Sequence, residues 1–236
     1  MEAELHPDAR WVSKLTGCSL ATARAGLAEA ANERALFRHI VRKHREGGRP
    51  SYIEIDAPYE LYAIVRLLRP RHVVEVGVSS GVSSAYLLKA LERNRVGTLH
   101  SIDKPKSPAR LRPGPPRASW AIPEGKSSGW AVPRPLHRRW DLRIGDKKTL
   151  IPVLAKELDA VDLFVYDVPH EDRASAVEFR AVDKRFHAGS VAIADHGPGG
   201  GLCGALRAWS SRRNSTPLQC QDLGLYGFPS RRDSPP

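Results

Sequence analysis

The chain has 236 residues, of which 41% are hydrophobic; that length favours one α/β domain with appendages over two full domains. Its apolar runs are too short to cross a bilayer, and its start lacks a basic n-region and an apolar h-region, so a soluble, unprocessed, cytoplasmic protein without membrane contact is expected. The three cysteines (Cys18, Cys203, Cys220) form no CxxC pair, which excludes a disulfide framework or zinc finger, and the formal charge of +11 suits an anionic partner, either nucleic acid or a phosphorylated or carboxylated small molecule.

Residues 7–45 are rich in Ala, Leu, Arg and Glu, with Leu27, Ala31, Ala35, Phe37, Ile40 and Val41 at roughly helical spacing, and predict one or two amphipathic helices. Gly47, Gly48 and Pro50 break that pattern, and a further helix is expected over residues 58–68, stopped by Pro70. Strands and helices then alternate, as in a parallel sheet covered on both faces. Strands are predicted at 72–76, 98–102, 139–144, 161–167 and 190–195, with helices at 83–93, 148–158 and 173–186. A last pair of short strands, 218–221 and 225–228, predicts an edge hairpin around Gly224.

Residues 104–138 interrupt this rhythm with eight prolines, Trp120 and Trp130. Nine of the residues 104–139 are Lys or Arg against one acid, Glu124, so most of the net charge is local. This composition predicts a long loop, either a basic lid over substrate or a solvated connector. The expected division is a helical extension at 1–57, a main domain at 58–229 with the 104–138 insertion, and a disordered tail at 230–236.

The first strand ends in Glu75-Val76-Gly77-Val78-Ser79-Ser80-Gly81, and a helix follows at once. Such a turn needs glycine where the backbone bends sharply toward a ligand, and the helix start offers free N–H groups to an anion. The second strand ends in Asp103, placed to accept hydrogen bonds from ribose hydroxyls. The third ends in Gly145-Asp146. The fourth runs into Asp167-Val168-Pro169-His170 and the fifth into Asp195-His196, so four polar side chains converge on one edge of the sheet.

The first two of these motifs resemble those of class I S-adenosylmethionine (SAM) methyltransferases. The second half, from Asp162-Leu-Phe-Val-Tyr-Asp167-Val-Pro-His170 through Glu178-Phe179 to Gly189 and Asp195-His196, resembles the methyltransferase 24 type of small O-methyltransferases. Gly129-Trp130-Ala-Val-Pro133 and Arg139-Trp140 look like that type's GWxxP and RW segments. The resemblance implies a Rossmann-like, doubly wound, seven-stranded sheet of order 3-2-1-4-5-7-6. It also implies that Glu75, Gly77, Ser79, Gly81 and Ser83 surround the methionine part of SAM, that Asp103 binds its ribose, and that Asp167 lies beside the cofactor. Asp146, with Lys147, is then an adenine contact or, equally, a helix N-cap.

By similarity to metal-dependent sugar and catechol methyltransferases, Asp167, Asp195 and His196 are candidate ligands of a divalent ion, and His170 is the general base. His196 departs from the Asp or Asn of the pattern, and imidazole suits manganese, iron or zinc better than magnesium. The expected acceptor is a hydroxyl of a small molecule, anionic or saccharide, with a homodimer through the N-terminal helices as an option. Two rival readings stay open: RNA methylation, motivated by the basic loop, and a non-catalytic SAM-binding protein.

Overall fold

The computed structural model describes residues 7–47, 58–105, 122–168, 172–196, 201–221 and 225–229. Three helices, not one or two, occupy the N-terminal region: α1 (Ala9–Thr16), α2 (Leu20–Ala31) and α3 (Arg34–Glu46). The breaks have local causes. Gly17 closes α1 in the left-handed region (φ 70°), and the Ser19 hydroxyl caps α2 by accepting the Thr22 amide. The interruption at Asn32-Glu33 resets the helical phase. Leu36, Ile40 and His44 therefore face inward, while Phe37, on the expected apolar stripe, is 42% exposed.

Helix α4 (Pro58–Leu68) leads into β1 (His72–Val76), α5 (Val82–Asn94) and β2 (Thr98–Asp103). A 3-10 helix (Arg134–Arg139) precedes β3 (Trp140–Ile144), so the second half of the insertion carries regular structure. Then follow α6 (Lys147–Glu157), β4 (Leu163–Tyr166), α7 (Asp172–Asp183), β5 (Val191–Asp195), α8 (Gly204–Arg212), β6 (Leu218–Cys220) and β7 (Leu225–Pro229). The sheet order is β3-β2-β1-β4-β5-β7-β6, as expected. The first five strands are parallel and β7 is antiparallel to both neighbours. The terminal hairpin thus adds to the β5 side, with β6 as the edge strand.

The alternation of side chains along each strand gives the sheet two apolar faces. Val73, Leu163, Val165, Val191 and Ile193 pack with helices α1 to α5, whereas Val74, Val76, Phe164, Tyr166, Ala192 and Ala194 pack with α6, α7 and α8. The N-terminal helices belong to the first of these cores. Trp11 is buried and donates its indole N–H to the Leu218 carbonyl at 2.7 Å, and Leu15 lies so close to Gly227 that a Cβ there would meet its Cδ1 at 2.6 Å. Among the described residues no helix is long and apolar enough to cross a membrane.

Candidate active site

The parallel strands all point their carboxyl ends to one edge, and the turn after β1 is the most constrained part of it. Gly77 (φ 96°), Ser79 (φ 49°) and Gly81 (φ 89°) lie in the left-handed region. A Cβ on Gly77 would sit 1.9 Å from the Asp167 carbonyl oxygen, so the ends of β1 and β4 touch through backbone alone. Gly81 takes the N-cap position of α5 without a side-chain cap, leaving the first-turn N–H groups to other acceptors.

Glu75 is fully buried. Its carboxylate accepts hydrogen bonds from Ser83, Ser84 and Ser101, each at 2.7 Å. Burial pushes this carboxyl above the usual carboxylate range, and the three hydroxyls only partly hold it down. Glu75 and Ser83 were expected to surround the methionine part of SAM; in the structure Glu75 is fully buried and the Ser83 hydroxyl donates to it. The two lock the start of α5 to β1 and β2 from beneath. Ser101 extends the chain by accepting the Trp140 indole N–H at 2.8 Å.

Asp103 ends β2 at the same edge and accepts the Ser128 hydroxyl on Oδ2 at 2.5 Å. Ser128 belongs to a segment that sequence reasoning read only as loop, and which docks on the glycine-containing turn. The Gly129 amide donates to the Ser79 carbonyl and the Ala131 amide to the Ser80 carbonyl, both at 2.9 Å. The GWxxP resemblance was the signal that could have found it. Asp146 realises the N-cap option, accepting the Lys148 amide at 2.9 Å, and pairs with Lys104. The hydrogen bond from Lys104 holds its carboxyl below the usual range.

Lys147, the other adenine candidate, points instead into a network missed in the sequence. It donates to the Tyr166 hydroxyl at 2.5 Å and to Glu178 at 2.9 Å, while Tyr166 donates to the same Glu178 oxygen. Tyr166 and Glu178 are both fully buried. Three elements, α6, β4 and α7, are thereby tied together just below the carboxyl edge.

Asp167 is exposed at the end of β4, and Asp195 and His196 are half-buried at the end of β5. His170, the expected base, lies outside the described residues. As a metal-ligand set, Asp167, Asp195 and His196 do not fit: among the described residues no three His, Cys, Asp or Glu side chains are grouped so as to hold an ion. The physical reason is visible at His196, whose Nε2 accepts the Cys203 amide at 3.1 Å and so has its lone pair engaged. Neighbouring strands deliver these residues to one edge without turning their donor atoms on one point.

Comparison with curated protein sequences gave no match. Among solved structures, the chain is similar to the O-methyltransferase TomG from Streptomyces achromogenes, involved in tomaymycin synthesis and solved in complex with SAM, with 18% identity, coverage of 84% of this chain and 90% of that chain, and a TM-score of 0.55. It is similar to the SAH-bound methyltransferase PaMTH1 of Podospora anserina (15% identity, 84% and 88% covered, TM-score 0.53). It is also similar to the O-methyltransferase from Bacillus cereus in complex with SAH (13%, 82% and 90%, TM-score 0.52). At such identities these likenesses speak for the fold. Residues 74–196, more than half of the chain, match the methyltransferase 24 family, described as a methyltransferase domain. With the sheet order and the turn after β1 in agreement, the chain belongs to that family and has the class I methyltransferase fold.

Proposed function

We propose that the protein is a SAM-dependent O-methyltransferase acting on a hydroxyl of a small molecule, a sugar or sugar-bearing metabolite. The observation that carries this reading is the pairing, across one sheet edge, of the left-handed Gly77–Ser79–Gly81 turn with the Asp103 carboxylate. The donors and acceptors present fit the cofactor. First-turn amides of α5 suit its methionine carboxylate, Asp103 retains Oδ1 for a ribose hydroxyl while Oδ2 accepts Ser128, and the Asp146 region suits adenine. When bound, SAM supplies a methyl group on a sulfonium, open to in-line attack.

In this reading the chain orients an acceptor oxygen at the ends of β4 and β5, and His170 takes the hydroxyl proton as it attacks. Asp167 and Asp195 flank that position, and their negative charge favours the protonated imidazole that results. No step is assigned to a divalent ion. Inhibition by EDTA, reversed by magnesium or manganese, would restore the metal reading of Asp167, Asp195 and His196.

The test is calorimetric titration with SAM and with SAH, followed by turnover of a sugar and catechol acceptor panel by wild type and His170→Ala. SAM binding with acceptor-dependent SAH release is expected, with turnover lost in His170→Ala and SAM affinity nearly kept. Absence of SAM binding would sink the proposal, and full activity in His170→Ala would remove that residue from the chemistry.

A further inference from the structure

Trp130 connects the cofactor turn to a part of the chain outside the matched family region. Its flanking amides, those of Gly129 and Ala131, are the two that bind the Ser79 and Ser80 carbonyls. Its ring stacks on His44 of α3, with centroids 5.2 Å apart and planes inclined by 29°. Gly47, the C-cap of α3, lies against the far edge of the indole: a Cβ there would be 2.7 Å from Cη2 of Trp130. Among the described residues the buried indole N–H has no hydrogen-bond partner, and the contacts that hold the ring are stacking and close packing.

The segment that Trp130 anchors touches both places where the cofactor is expected. Ser128 hydrogen-bonds Asp103 at the ribose end, and a Cβ on Gly81 would meet the Cα of Gly129 at 2.7 Å and Val132 at 2.6 Å at the methionine end. Close packing of this kind transmits a shift rather than absorbing it. Moving the indole moves the backbone between Ser128 and Ala131, and with it the hydroxyl on Asp103 and the two amides on the turn.

We infer that His44 and Gly47 of α3 clasp Trp130 and act as positioning residues for the cofactor site, so that an N-terminal helix sets SAM affinity through Trp130. The inference rests on the SAM reading proposed above. It assigns a role to a helix that supplies none of the sequence motifs of the domain.

Gly47→Ala is the sharpest probe. Gly47 has φ −84°, which alanine adopts freely, so the substitution leaves the backbone unstrained and acts by pressing on the indole. SAM dissociation constants are measured by calorimetry at 20 °C for wild type, Gly47→Ala, His44→Leu, Trp130→Phe and the double variant Gly47→Ala/Trp130→Phe, with circular dichroism confirming each fold. Gly47→Ala and His44→Leu are expected to weaken SAM binding roughly tenfold, the scale of an ångström-level misplacement or less. The smaller ring of the double variant is expected to return most of that loss, which a purely structural contribution of Gly47 would not produce. Unchanged affinity in folded Gly47→Ala and His44→Leu, with wild type binding SAM, overturns the clasp and leaves the proposed function standing. Wild type that binds no SAM overturns the proposed function, and the clasp with it.

Discussion

The two edges of the sheet handle charge differently. At the amino edge the ionisable side chains are matched to one another. His72 pairs with Asp159 and hydrogen-bonds His100, His100 contacts Asp141, and Arg143 bridges Asp141 to Glu157. Asp162 accepts the Arg71 and His72 amides and pairs with His187. At the carboxyl edge Asp146 pairs with Lys104, but Glu75 and Asp103 take serine hydroxyls in place of cations, and Asp167 stands exposed. At Asp103 a neutral donor orients the carboxylate without cancelling its charge, which suits an edge that must bind and orient a ligand. The amino edge makes ion pairs for attachment of strands, and its charges carry no further function in this reading.

The comparison breaks first at the backbone of the turn. Gly77→Ala places a methyl group 1.9 Å from a carbonyl oxygen at φ 96°, and neither β1 nor β4 can yield without opening the sheet. A loss on the order of 3 kcal/mol or more is expected, read as insolubility or a collapse of the thermal midpoint. A soluble variant with a wild-type midpoint would mean that the two strand ends do not meet this tightly.

Glu75 gives the next largest effect. Glu75→Ala leaves the buried Ser84 and Ser101 hydroxyls and the half-buried Ser83 hydroxyl without their acceptor and should cost about 3 kcal/mol by chemical denaturation. Glu75→Gln should cost under about 1 kcal/mol, because its amide oxygen can accept Ser84 and Ser101 while its N–H group donates to Ser83. The folded carboxyl lies above its ordinary value, so its stabilisation is complete below that ordinary value and is lost as pH rises through the folded one. The gap between wild type and Glu75→Gln should therefore be widest near pH 4 and narrow toward neutrality, about the range where a glutamate titrates. A gap that widens with pH would mean that the serine donors outweigh burial.

How far the site was legible in the sequence follows the same physical divide. Backbone demands leave strong marks: Gly77 and Gly81 announced the turn, Asp103 the end of β2, and strand alternation the sheet. Side-chain partnerships across distant segments leave almost none. Nothing near Glu75 in sequence says that Ser101 will face it, nor that Lys147 will turn to Tyr166 and Glu178 and away from the crevice. The split of the N-terminal region at Asn32-Glu33 was hidden because both residues fit a polar helix face. The acids after β4 and β5 were placed correctly on one edge, but the three-ligand set came from a family resemblance, and strand order does not aim oxygens; among the described residues no group of three such ligands is found.

Asp167→Asn sharpens the comparison at the acceptor end. Its side chain is exposed, so stability should change by no more than about 0.5 kcal/mol. If its charge favours protonated His170 as proposed, turnover should fall by roughly tenfold or more, within the range of general-base effects, while SAM affinity changes far less. Thermal melts beside acceptor-dependent SAH release check both halves. Unaltered turnover would leave that edge without an electrostatic role.

The smallest effect is expected at the amino edge. His187 donates its Nδ1–H to the Ala188 carbonyl and pairs through Nε2 with Asp162, each at 2.9 Å. Burial pushes its pKa down, but these two partners outweigh it and hold it above the usual histidine value. The pair therefore adds stability below the unfolded histidine value, near pH 6.5 or about that, and loses it as pH rises through the folded one. The imidazole is 47% exposed, so solvent screening reduces the contribution to a few tenths of a kcal/mol. His187→Gln should lower stability by about that much at pH 6 and not at all at pH 9, since Asp162 keeps the Arg71 and His72 amides in both forms. SAM affinity should be the same at every pH where the variant is folded. A variant that lost cofactor binding here would erase the division of labour between the edges, because a charge on the far side of the sheet would then reach the site.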